Sequence, residues 1–261
     1  MLRFAIPSTL GPDAPARANT LQGYIHAMLG IGIEVTVAQS YEQVARELLS
    51  GAINAAWAPP FVCARIEAMG VRVLLRGIRN GASTYRSALV CRSISNLELE
   101  TLPNTRAAFS DRDSVGGYLL AMAHLKSRGM NVSKCFAQIS FEGSYRQALQ
   151  AVDEGRADVT AIFAASANSD NTTATGLAEI WPEKQNDFRT ICFTEGVPND
   201  GVAVSMTTDA AVVAALEKVL IGMHHTETGA RVLRDCFHAE RFELAPRMGY
   251  RPLYRIALAS L

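Results

Sequence analysis

Two stretches decide how this chain folds: SYEQVARELLSGAINAAW at residues 40–57 and SYRQALQAVDEGRADVTAIF at residues 144–163. Each runs Ser-Tyr-x-Gln, reaches a Gly eleven residues after the Ser, and places an Asn or Asp three residues beyond it. The S-x-x-Q spacing is a capping box, in which Ser40 or Ser144 accepts from the third helical amide while Gln43 or Gln147 reaches back. Gly51 and Gly155 suit the left-handed position that ends a helix. A strand-like segment precedes each copy (IEVTVAQ, CFAQISFE) and another follows at once (INAAW, ADVTAIF). Each copy therefore reads as a helix inside a βαβ unit.

The pattern extends in both directions. LRFAIP is strand-like, and PARANTLQGYIHAMLG has helical spacing with Leu21, Ile25, Met28 and Leu29 on one side. FVCARIEAMG reads as a helix, with VRVLLRGI and YRSALVCR as strands. The cycle then restarts with TRAAFSD as a strand and SVGGYLLAMAHLKSRG as a helix, and residues 207–237 supply one or two closing helices. Strands alternating with such helices imply mostly parallel sheets. Two cycles in 261 residues imply two α/β lobes. Lobe 1 is expected to span 1–88 plus 203–261 and lobe 2 to span 89–202, joined by two crossovers near 86–92 and 190–202. The run AASANSDNTTATG (164–176) lacks periodicity and reads as a loop or short helix.

Composition excludes several classes. Lys plus Arg equals Asp plus Glu, and no basic block stands out, which argues against nucleic acid as a partner. No run approaches the ~18 apolar residues of a membrane span, so no membrane insertion is expected. The five cysteines are scattered without metal or disulfide spacing. No signal peptide is visible, so the expected location is cytoplasmic as the sequence stands, and periplasmic if it is a trimmed form. Nucleotide, dinucleotide and nucleophile-elbow motifs are absent, and MHHTETG lacks metal-ligand spacing. No cofactor, metal or catalytic constellation is expected.

Helix starts at the carboxyl edge of an α/β sheet favour polar or anionic ligands, because orphan amides and the helix dipole point there. The duplicated Ser-Tyr puts Tyr41 at one such start and Ser144 and Tyr145 at the other. Residues 107–164, AAFSDRDSVGGYLLAMAHLKSRGMNVSKCFAQISFEGSYRQALQAVDEGRADVTAIFA, resemble the second lobe of phosphonate-type substrate-binding proteins of ABC transporters. That family's pattern is Asp-Ser-Thr-Ser-Gly-Tyr opening one helix and Gly-Ser-His opening the next. YEQVARELLSGAINAAWAPP, YRSALV and VPNDGVAVS look like its other landmarks in the right order. The resemblance covers nearly the whole chain and implies a two-lobe clamshell of the type 2 periplasmic-binding-protein fold.

It also implies a site. The anion-holding turn of the family matches Asp113, Ser114, Val115, Gly116, Gly117 and Tyr118. Ser114 keeps its hydroxyl, Val115 and Gly116 replace a Thr and a Ser, and Tyr145 stands where the family has His. Tyr41, Tyr85 and Asp200 fall on positions that resemble family ligand contacts, and Trp57 is expected to point toward the same cleft. The implied ligand is a small anionic and/or aromatic molecule, or an amine facing Asp113 and Asp200, and the implied partner is an ABC transporter or a signalling protein. Two other readings stay open. One is an enzyme on the same fold, resembling chorismate dehydratases, with Asp113, Glu142, Asp158 and Asp200 available as acid or base. The other is a ligand-sensing module similar to the effector domains of LysR-type regulators.

Overall fold

The computed structural model describes residues 1–7, 13–112, 114–165, 172–251 and 253–254. The chain forms two compact units, Met1–Ser83 with Pro198–Tyr254 and Thr84–Val197. The units change after Ser83 and Val197, where the sequence reading expected crossovers near 86–92 and 190–202 and lobe bounds at 88 and 202.

The first unit starts with β1 (Leu2–Pro7), α1 (Ala14–Leu29), β2 (Ile33–Ala38), α2 (Tyr41–Ser50), β3 (Ala55–Ala58), α3 (Pro60–Ala68) and β4 (Arg72–Ile78). β1 runs parallel to β2 and to β3, in register from Leu2 opposite Ile33 to Pro7 opposite Ala38. The second unit repeats the arrangement. It comprises β5 (Thr84–Arg92), β6 (Thr105–Phe109), α4 (Leu120–Ser127), α5 (Val132–Cys135), β7 (Phe136–Phe141), α6 (Tyr145–Asp153), β8 (Thr160–Ala165), α7 (Thr172–Ile180) and β9 (Phe188–Phe193). Here β6 runs parallel to β7, and a parallel bridge joins Ala107 to Val159, the residue before β8. β5 pairs antiparallel with β8 and β9. The two-residue β10 (Val197–Pro198) marks the second crossover. Then β11 (Gly201–Val204), α8 (Ala210–Gly222), α9 (Glu227–Val232) and β12 (Arg241–Leu244) complete the first unit, whose strand order is β12-β4-β11-β3-β1-β2. β11 inserts antiparallel between β3 and β4.

The duplicated segments have the same geometry. Ser40 and Ser144 cap α2 and α6 with φ of −151° in both and ψ of 159° and 160°. Their hydroxyls accept from the amides of Gln43 at 3.1 Å and Gln147 at 3.2 Å. The Gln side chains return differently from a standard capping box: Gln43 Oε1 accepts from the Gln39 amide, and Gln147 Oε1 accepts from the Ser144 hydroxyl. Gly51 and Gly155 are left-handed at φ +74° and +73°.

The Asn or Asp that follows each Gly has a structural task. Asn54 Oδ1 accepts from the Arg3 amide at 2.8 Å, and the Asn54 amide donates to the Arg3 carbonyl at 2.9 Å. Asp158 treats Arg106 identically, with Oδ2 accepting from its amide at 2.8 Å and its own amide donating to the Arg106 carbonyl at 2.8 Å. Both side chains clip the chain ahead of β3 or β8 onto the start of β1 or β6. Backbone groups need partners wherever they leave water, and the repeated Gly-x-x-Asn/Asp supplies them.

Cores follow from strand alternation. In the first unit Phe4, Ile6, Leu21, Ile25, Trp57, Leu75, Phe237 and Phe242 are buried together. In the second unit Ala88 and Val90 join Ile162, Leu149 and Leu177 in one cluster. Their neighbour Leu89 joins Ala161, Phe109 and Leu125 in another, so successive residues of β5 feed opposite faces.

Candidate ligand site

β6 ends at Phe109, and Ser110 begins the turn at its carboxyl end. Ser114 then opens a helical segment whose first turn, Val115–Leu119, is a π-turn that continues into α4. Ser114 Oγ accepts from the Gly117 amide at 3.1 Å, and the Leu119 amide donates back to the Ser114 carbonyl at 3.0 Å. The amides of Val115 and Gly116 precede the first helical hydrogen bond, as at any helix start. π-turns widen the helix and recur at functional sites.

Around this turn the second unit gathers polar and aromatic side chains. Tyr145, the first residue of α6, places its Oη 3.3 Å from Ser114 Oγ and its ring edge-on to Phe163 at 5.4 Å. Tyr85 at the start of β5 approaches Gly116: a Cβ built there would lie 3.3 Å from Tyr85 Cε2, 3.3 Å from Phe163 Cβ and 3.0 Å from Tyr145 Oη. At Gly117 a Cβ would collide with Ser110 Oγ and lie 2.7 Å from Ser114 Oγ. Glycine is required at 117 by close approach, not by positive φ. Ser87, fully buried on β5, donates to the Gly116 carbonyl at 2.6 Å and pins the turn from beneath. Ser110 is 4% exposed, and its hydroxyl has no hydrogen-bond partner among the described residues.

The structure sorts the sequence candidates. Ser114, Gly116, Gly117, Tyr85 and Tyr145 come together, with Val115 buried in the same turn. Ser144 acts as a helix cap, its hydroxyl engaged with Gln147 on both sides. Tyr41 opens α2 in the first unit, behind the Ser40 cap. Asp113 lies outside the described residues.

Trp57 is corrected, and Asp200 has a partner within the first unit. Trp57 is 1% exposed and packs edge-on against Phe237 at 5.2 Å and Phe242 at 5.7 Å, so it is a core tryptophan. Its strand β3 is fully buried, with every residue packed, which cancels the alternation that would turn a side chain outward. Asp200 is ion-paired with Arg79, Oδ2 to Nη1 2.7 Å. Arg79 is itself fixed on the carbonyls of Phe237 and His238.

Of the other carboxylates weighed as acid or base, Asp158 and Glu142 are engaged within the second unit. Asp158 holds the Arg106 guanidinium at 2.6 Å, and that bond keeps its carboxyl below the usual range. Glu142 accepts from Ser140 at 2.6 Å and from Arg156 at 3.2 Å.

Three residues of the site escaped the sequence reading: Ser87, Ser110 and Phe163. Ser110 had a signal, as the first residue past a β-strand at the carboxyl edge. Ser87 had one too, two positions after Tyr85 and hence on the same strand face. Phe163 carried none beyond membership of a strand.

Residues 4–250 match the family described as ABC transporter, phosphonate, periplasmic substrate-binding protein. The chain belongs to that family. Solved structures agree on the type 2 periplasmic-binding-protein fold. A Xanthomonas citri protein bound to ATP is 21% identical, with a TM-score of 0.81 over 99% of this chain and 97% of that one. A binding-protein component of an ABC phosphonate transporter from Pseudomonas aeruginosa is 16% identical, with a TM-score of 0.73 over 99% and 86%. A Prochlorococcus marinus protein in complex with methylphosphonate is 15% identical, with a TM-score of 0.74 over 100% and 98%. The family binds small molecules, usually for an ABC transporter, and among the described residues no helix is long and apolar enough to cross a membrane.

Proposed function

We propose that this chain is a solute-binding protein that holds the oxyanion group of a small organic molecule at the Ser114–Tyr118 helix start, with an anion site altered from its family's. The observation that carries this reading is the buried Ser110 hydroxyl without a partner beside Gly117. A buried hydroxyl left unbonded costs about 1–3 kcal/mol, and an oxyanion lying on the turn would satisfy it. The first-turn amides and the helix dipole favour negative charge at the same place. The aromatic side chains of Tyr85, Tyr145 and Phe163 offer apolar surface to the rest of the ligand. ATP and methylphosphonate, carried by two relatives of the same fold, both present phosphorus oxyanions. An ABC transporter is the partner to which such a molecule would be delivered.

Native mass spectrometry of freshly purified protein would reveal a retained ligand as extra mass lost on denaturation. Calorimetric titration with methylphosphonate, inorganic phosphate, ATP and benzoate then tests the class. At least one should bind, and Ser114→Ala should weaken it. Binding of none of them, or binding indifferent to Ser114→Ala, overturns the reading.

A further inference from the structure

Two chain segments cross between the units, one leaving the first unit after Ser83 and the other entering it at Pro198. We infer that these crossovers are clamped at both ends, by Asn199 with Tyr250 in the first unit and by Ser87 with Thr194 in the second. Movement of one unit against the other then turns on the residues between the clamps, Thr84 and Glu195–Pro198.

The first clamp is a buried polar network. β4 ends in a tight turn whose Asn80 and Gly81 both take left-handed φ, 51° and 72°, as a two-residue type I′ turn requires. Asn199, 1% exposed, spans that turn. Its side-chain amide donates to the Gly77 carbonyl at 3.0 Å and to the Ala82 carbonyl at 2.9 Å, which uses both of its N–H donors. Its backbone amide donates at 2.9 Å to the carbonyl of Ser83, the last residue before the first crossover. Its own carbonyl accepts from the Tyr250 hydroxyl at 2.6 Å. Tyr250 is fully buried, and its amide donates to the Glu67 carboxylate at 2.8 Å. Gly201 leaves room for this contact, since a Cβ there would lie 2.9 Å from the Tyr250 hydroxyl oxygen. A buried network satisfied in this way fixes one arrangement. The first unit's ends of both crossovers are thereby held as one piece.

The second clamp closes a ladder. The antiparallel pairing of β5 with β9 reaches Ala88 opposite Phe193. One step further, the Ser87 amide donates to Thr194 Oγ1 and the Thr194 amide to the Ser87 carbonyl, both at 2.9 Å. Ser87 and Thr194 are both buried. The Ser87 hydroxyl also donates to the Gly116 carbonyl at 2.6 Å, so the turn opened by Ser114 hangs on the same clamp.

Between the clamps, Thr84–Arg86 on one segment stand against the longer Glu195–Pro198 on the other. One extra residue on one strand is a bulge, which bends the strand and increases its twist. Tyr85 and Arg86 already pair with Ala165 and Ala164 of β8. The first crossover therefore has one residue, Thr84, between the Asn199 clamp and the second unit's sheet. The other segment includes Gly196, whose backbone is the most permissive of any residue.

Hydrogen exchange of the ligand-free protein, followed by NMR, and spin-label distances between the units test this together. Asn199→Ala and Thr194→Val should speed exchange of the amides at 199 and 87 about three- to tenfold, as for one ordinary hydrogen bond. The amides of Phe4 on β1 and Ile162 on β8 should keep their wild-type rates. Tyr250→Phe keeps the ring and tests the first clamp if Asn199→Ala fails to fold. Labels are placed at Glu34→Cys and Lys134→Cys, both exposed, with Cys192→Ala removing the half-buried native thiol. The clamp variants should then broaden the distance distribution. A merely structural role would speed exchange everywhere and leave the distribution unchanged. Rates that rise equally at Phe4 and Ile162, rates unchanged at 87 and 199, or a distribution as narrow as in wild type would each overturn the inference.

Discussion

The clip formed by Asp158 can be dissected because its counterpart, Asn54, does the same backbone work without charge. Asp158→Ala removes the acceptor of the Arg106 amide and both guanidinium bonds. The amide is partly buried, and losing its acceptor costs about 1–3 kcal/mol. The ion pair is exposed, at 41% for Arg106 and 30% for Asp158, so it contributes about 0.2–1 kcal/mol after screening. Asp158→Asn keeps an amide-oxygen acceptor, as Asn54 shows for Arg3 at 2.8 Å, and should lose only the smaller contribution. Urea unfolding at neutral pH should therefore rank wild type above Asn and Asn above Ala, with most of the loss in the second step. The pH dependence has a fixed sign. Arg106 holds the Asp158 carboxyl below its usual range, so this stabilisation is complete above about pH 4 and fades as pH falls through the depressed value. The gap between wild type and Asn should narrow only on that acid side. An Asn variant as unstable as Ala, or a gap that closes at alkaline pH, would refute the reasoning.

Other outcomes are expected from the same structure. Trp57→Ala should destabilise the protein by about 3–5 kcal/mol in urea unfolding, the usual cost of emptying a buried aromatic site, since Trp57 packs on Phe237 and Phe242. Gly229→Ala should destabilise by about 1–3 kcal/mol through overpacking, because its Cβ would run into the Met223 carbonyl and lie 2.7 Å from Tyr24 Oη. Burial pushes the Cys192 and Cys236 thiols up to about 11, so iodoacetamide at pH 8 should alkylate both far more slowly in native than in urea-unfolded protein, as read by mass spectrometry. Ser87→Ala frees the Gly116 carbonyl from its 2.6 Å donor and should weaken ligand binding, measured by calorimetry, more than an exposed Ser→Ala control.

Much of the architecture was legible because it rests on local rules repeated twice. Ser-Tyr-x-Gln sets a helix start, the Gly eleven residues on sets its end, and the Asn or Asp beyond it meets a strand already in place. Hydrophobic periodicity places helices and strands, and the Ser114 turn is visible as a short polar, glycine-rich break between them. Sequence alone thus settled the two α/β units, the family and the turn with Ser114. It could not say that Trp57 lies in the core, since a short all-apolar strand has no alternation to show which way a ring points. Nor could it pair Asp200 with Arg79 across more than a hundred residues. Nor could it bring Ser110, Ser114 and Tyr145 to one turn, because they come from the end of β6, the π-turn and α6. Distances between such elements are set by how sheet and helices pack, and only the tertiary structure decides them.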